Sequence, residues 1–130
     1  MLDDTTRAFL EKPLIARMST IDSNGYPHTV PVWFMRDDDD LLVISVRQTR
    51  KIGYIAANAK GAIVVGGEPG DGGGYLFKGE FSVEPDGDQQ WTRKFIYRYE
   101  SGEKAEQDVR DWADLEMVLL RLKVTKVSKV

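Results

Sequence analysis

Cysteine is absent from the 130 residues, and histidine occurs once, as His28. The first absence excludes disulfides and thiolate-held metals. The second leaves too few ligands for a zinc centre, and no glycine-flanked serine is available to build a Ser-His-Asp triad on a histidine that sits near a turn. Positive charge is not in excess either. The formal net charge of −3 argues against a domain-wide nucleic-acid surface, while leaving room for one local anion site. No apolar run approaches the roughly 20 residues that span a bilayer. The opening MLDDTTRAFL is acidic and lacks the basic-then-apolar layout of a secretory signal. The expectation is therefore a cytoplasmic protein with neither membrane nor nucleic acid as partner. No repeat and no linker divides the chain. With 42% hydrophobic and 30% charged residues, positions 1–130 read as one domain able to bury a core.

What is present is mostly strand-like. Residues 4–12 read as a short helix capped by Asp3 or Asp4 and stopped at Pro13. Strand patterns cover 14–20, 28–35, 41–46, 62–65, 75–83 and 117–124. Asn24-Gly25 marks a hairpin turn, and the acidic run 36–40 marks another. Pro31 has no N–H to give a ladder, so its strand belongs at an edge or beside an interruption. In 75–83, Tyr75, Phe77, Gly79, Phe81 and Val83 share one face; in 117–124, Val118, Leu120, Leu122 and Val124 do. Ile52, Ile55, Ala56 and Ala59 have helical spacing, with Thr49 as N-cap and Gly61 as the stop. Residues 86–100 form a second helix with Trp91, Phe95 and Tyr99 every four residues, and 100–114 is loop or loose helix. Six strands joined mainly by hairpins, with interspersed helices, predict a mainly β fold: a small closed or nearly closed barrel whose closure hides the strand edges.

The stretch VRQTRK (46–51) stands where a strand hands over to a helix. Arg50 and Lys51 fall in the first helical turn, where the helix dipole is positive and backbone N–H groups lack partners. Each exposed cation there costs about 0.3–1 kcal/mol. The alternative is a capped helix with two solvated cations, but a bound phosphate reverses the sign. It would accept backbone N–H groups, the Thr49 hydroxyl and two charge-assisted bonds. GGEPGDGGG (66–74) lacks the lysine and following helix of a phosphate loop and reads as a flexible connection. The four aspartates at 37–40 lack calcium-loop spacing and read as a solvated turn.

Gly25 to Phe34 (GYPHTVPVWF), the strand-then-Thr-Arg-Lys arrangement and the GAIVVGGE segment together resemble the pyridoxamine 5'-phosphate oxidase-like family, most strongly over residues 14–68. The resemblance implies a six-stranded split β-barrel that binds FMN. It places Val30, Pro31, Val32 and Trp33 along the flavin ring, Ile44 and Ser45 beside the ring and ribityl chain, and Thr49, Arg50 and Lys51 on the phosphate. It implies a homodimer with two cofactor sites at the subunit interface, each completed by the other chain, and hydride transfer at the flavin on a small-molecule substrate. Trp33, Trp91 and Trp112 are expected to supply aromatic surface for that interface. Two departures set the chain apart from pyridoxamine phosphate oxidation itself. Thr29 stands where those enzymes carry arginine, and no tryptophan and arginine pair follows Leu115. The competing readings are a deazaflavin-dependent reductase on the same fold and a non-catalytic flavin or haem binder, with haem disfavoured by the single histidine.

Overall fold

The computed structural model describes residues 1–130. In chain order it comprises α1 (Asp4–Phe9), β1 (Ala16–Ile21), β2 (Pro27–Val32), β3 (Met35–Asp37), β4 (Asp40–Val46), α2 (Arg50–Ala57), β5 (Lys60–Gly66), β6 (Gly74–Pro85), α3 (Gln90–Tyr99), α4 (Gly102–Asp111) and β7 (Met117–Lys129). The strands form one antiparallel sheet in the order β2-β1-β5-β6-β7-β4-β3. The mainly β split barrel is as the sequence predicts, but it has seven strands where six were expected.

The seventh strand comes from the segment 28–35. Its alternation reads as one strand, yet β2 and β3 stand at opposite edges of the sheet. Trp33 and Phe34 carry the chain between those edges and so roll the sheet into a barrel. Pro31 lies on an edge strand, as its missing N–H requires. At the crossing, the Phe34 N–H has no ladder partner and donates to the Tyr99 hydroxyl at 3.1 Å. That hydroxyl donates in turn to the Leu14 carbonyl at 2.8 Å. A side chain thus satisfies backbone that the sheet leaves unpaired.

The barrel is incompletely closed. β3 pairs with β4 only from Asp40 to Leu42, so the second half of β4, residues 43–46, bonds to β7 alone. The free edge of β2 and this free half of β4 are the two lips of the split. Inside, Met18, Phe34, Val43, Ile63, Phe77 and Leu120 are fully or almost fully buried. The inward faces of β6 and β7 follow the expected alternation until Thr125, which a bulge leaves unpaired. Beyond it Val127, and not Lys126, packs on the core.

The helices depart from expectation mainly at their ends. Asp3 caps α1 by accepting from the Thr6 N–H at 2.8 Å. The helix stops at Phe9 instead of residue 12, and Arg98 takes the carbonyls of Leu10, Glu11 and Lys12. Gly61 does not end α2, which stops at Ala57 with extended Asn58. Gly61 lies inside β5, where a Cβ would run into the Phe81 ring. The buried Asp86 carboxylate accepts from the N–H groups of Trp91 and Thr92 and from the Thr92 hydroxyl, which starts α3 four residues later than expected. Phe95 of α3 packs with Leu42 and Leu119 on the outer face of the sheet. The stretch left open as loop or loose helix contains a ten-residue helix, α4. No helix is long and apolar enough to cross a membrane.

Candidate functional site

A cleft of about 560 Å³ opens along the split, within the range of roughly 300–1,000 Å³ found for small-molecule and cofactor sites. Pro31, Val32 and Trp33 form one wall, and Ile44, Ser45 and Val46 form the facing one. Thr49 and Lys51 close one end, while Trp112, Leu115 and Met117 line the other side together with Ile15. Of the nine residues singled out in the sequence, the structure brings seven into this cleft. Val30 and Arg50 do not line it: Val30 is half-buried in β2, and Arg50 is exposed on the first turn of α2.

The polar end is built by the junction of β4 and α2. Thr49 has the extended backbone of an N-cap, but its side chain makes no capping bond. Its hydroxyl lies 3.1 Å from the Ser45 hydroxyl, which donates to the Val46 carbonyl at 3.0 Å. The first turn of α2 holds no acidic residue. Neither Arg50 nor Lys51 has a carboxylate within 4.0 Å. Lys51 is half-buried, and desolvation lowers its pKa below the ordinary lysine value. An unpaired, partly desolvated ammonium beside free helix N–H groups and two hydroxyls is an arrangement that an anion relieves. These residues fit a phosphate group. The cleft contains no carboxylate and no histidine.

The aromatic side is a stack of three rings from distant segments. The indole of Trp33 lies 4.9 Å from the Tyr99 ring and within 3° of parallel to it, and 6.0 Å from Trp112 at a tilt of 39°. The Arg98 guanidinium lies over the Phe34 ring at 5.1 Å and over the Tyr99 ring at 5.5 Å from their centroids. Trp33, Trp91 and Trp112 are all half-buried within the chain. The expectation that all three are exposed for a partner is therefore corrected: intrachain packing covers much of that surface.

Sequence reasoning missed Ile15, Val46, Trp112, Leu115 and Met117. Ile15 and Val46 lie inside the predicted strands 14–20 and 41–46, beside residues already marked, and only their place in the cleft was unread. Trp112 was not, because it is the C-cap of α4, a helix whose polar composition left no readable apolar face. The turn after it is tied to the rest of the molecule by Gln89. That residue has a left-handed backbone (φ 56°), and its amide Nε2 donates toward the carbonyls of Trp112 at 2.7 Å, Leu115 at 3.1 Å and Ala113 at 3.3 Å.

Comparison with known proteins places this geometry. A family model described as pyridoxamine 5'-phosphate oxidase matches residues 2–130. No curated protein matches the chain in sequence. Among solved structures, an F420 reductase superposes with a TM-score of 0.77 at 20% identity, covering 98% of each chain. A putative pyridoxamine 5'-phosphate oxidase from Listeria innocua gives 0.75 at 16% identity, covering 98% of this chain and 96% of that one. General stress protein 26 from Bacillus anthracis gives 0.69 at 19% identity, covering 95% and 88%.

Proposed function

The chain belongs to the pyridoxamine 5'-phosphate oxidase family, and on that premise we propose that its cleft holds FMN and that the protein is an FMN-dependent oxidoreductase. One observation carries the reading: Lys51, half-buried and without a carboxylate partner, stands beside Thr49 at the only polar end of an otherwise apolar cleft. In this reading Lys51 and the N–H groups of α2 hold the cofactor phosphate, with Arg50 adding charge from the solvent side. The Thr49 and Ser45 hydroxyls face the ribityl chain. Pro31, Val32, Trp33 and Ile44 form walls for the ring, with Val30 behind them. When bound, the flavin supplies hydride transfer at its ring. The chain's own residues bind and orient it and keep water from one face. No carboxylate or histidine lines the cleft, and Lys51 and the two hydroxyls are assigned to holding the cofactor, so no acid or base step is assigned.

The split leaves two strand edges open beside the cleft, and a second copy of the chain covering them would complete the site. We therefore include a homodimer with cofactor sites at its interface, a small-molecule substrate and a cytoplasmic location in the proposal. A second reading, a deazaflavin coenzyme in the same cleft, is favoured by the likeness to an F420 reductase. It uses the same phosphate end and the same walls. Mass spectrometry of the ligand released from freshly purified protein separates the two. FMN supports the proposal, a deazaflavin mass supports the second reading, and a haem mass or Soret band overturns both.

A further inference from the structure

The part of the cleft wall supplied by residues 112–117 has a character of its own. Trp112, Leu115, Met117 and Ile15 line it, and Trp33 links it to the ring wall. Leu115 and Ile15 are among the few large apolar side chains left exposed, at 41% and 46%. No charged side chain lines this half, since Lys51 is the cleft's one ionisable group. Of the neighbouring charges, Arg47 pairs with Glu116, Arg110 donates to Gln107, and Asp114 is exposed outside the lining. A charged group entering here would lose water and find no partner. A flat apolar ring would gain stacking on Trp112 and cover Leu115 and Ile15.

We propose that this half of the cleft takes the substrate, that the substrate is a flat, uncharged aromatic molecule stacked on Trp112, and that Gln89 is the residue positioning the wall it meets. Gln89 lies outside the cleft, yet its amide gathers three carbonyls of the turn 112–115 and keeps a left-handed backbone to do so. Freed from Gln89, the turn has no other side-chain hydrogen bond, and Trp112 is left to its contact with Trp33. The proposal rests on the FMN reading only for what fills the other half.

The test uses isothermal calorimetry on the full chain incubated with FMN, with neutral 2-naphthol and anionic 2-naphthoate as probes at pH 7. Bound flavin is quantified by absorbance before each titration, so loss of the FMN reading and loss of this one are separate results. The expected pattern is 2-naphthol bound at least about tenfold more tightly than 2-naphthoate, because the two share one ring and only the carboxylate loses water without gaining a partner. Trp112→Ala should weaken 2-naphthol binding about tenfold, and Trp112→Phe should restore most of it. Gln89→Ala should weaken 2-naphthol several-fold with FMN affinity unchanged, whereas a merely structural Gln89 would lower both or neither. Should Trp112→Ala fail to fold, Leu115→Lys on the exposed rim should reverse the preference in favour of 2-naphthoate. Equal affinity for the two probes, no binding of either, or wild-type affinity in Trp112→Ala overturns the proposal. So does an unchanged preference in Leu115→Lys.

Discussion

The indole of Trp33 lies flat on the phenol ring of Tyr99, centroids 4.9 Å apart and planes 3° from parallel. The two residues are 66 positions apart in the chain, and their contact ties α3 to the segment that crosses from one sheet edge to the other. The Tyr99 hydroxyl completes the tie by bonding Phe34 and Leu14. Tyr99→Phe keeps the stack and removes the hydroxyl, leaving a half-buried N–H and carbonyl with one partner fewer. The expected loss is about 1–3 kcal/mol of unfolding free energy, read by urea denaturation. An unchanged midpoint would mean that water replaces the hydroxyl without cost.

Trp33 itself should report on the cofactor. If the flavin ring lies along Pro31 to Trp33, Trp33→Ala alters the absorption or fluorescence of bound flavin and costs about 1–3 kcal/mol of stability, less than a fully buried tryptophan would. Lost stability with an unaltered flavin spectrum would make Trp33 a packing residue only.

The parts of the fold that were legible in the sequence are those in which period and burial coincide. β6 and β7 place their alternating apolar residues on the core almost to their ends, because each is flanked by partners and has a single inward face. The split of β2 from β3 was not legible. Alternation runs unbroken through Trp33 and Phe34, and only the choice of hydrogen-bond partner changes there. The polar end of the cleft was legible through Thr49 and Lys51, since charge opposed to a helix dipole is visible in a string of letters. Arg50 carries the same signal but is exposed to solvent, because consecutive helical residues point about 100° apart. The Trp112 side was illegible because its place depends on Gln89, 23 residues away, through backbone carbonyls that every residue possesses.

Acid should loosen α1 from the β3–β4 turn. Hydrogen bonds from Arg7 and the N-terminal amine hold the Asp39 carboxyl well below the ordinary carboxylate value. A folded pKa depressed in this way contributes stability that is present above the unfolded value near 3.9 and lost as pH falls through the folded one. Asp39→Asn is therefore expected to be less stable than wild type at pH 7, with the difference narrowing as pH falls from about 4 toward 2. Thermal unfolding across pH 2 to 7 checks this, and a constant difference over the whole range would show that the charge is not what Asp39 contributes.

The measurement closest to the central claim compares FMN with riboflavin, which has the same ring and no phosphate, on wild type and Lys51→Ala. Loss of a charge-assisted bond worth about 1.5–3 kcal/mol should weaken FMN about ten- to hundredfold. Riboflavin affinity should barely move. Apo stability should hold or rise, because the half-buried Lys51 pays for its own desolvation and its lowered pKa means the charged form is disfavoured by folding at neutral pH. A selective loss of FMN affinity with a stable apo protein is the predicted result. Equal losses for FMN and riboflavin, or an apo protein that unfolds, would contradict a phosphate at the start of α2.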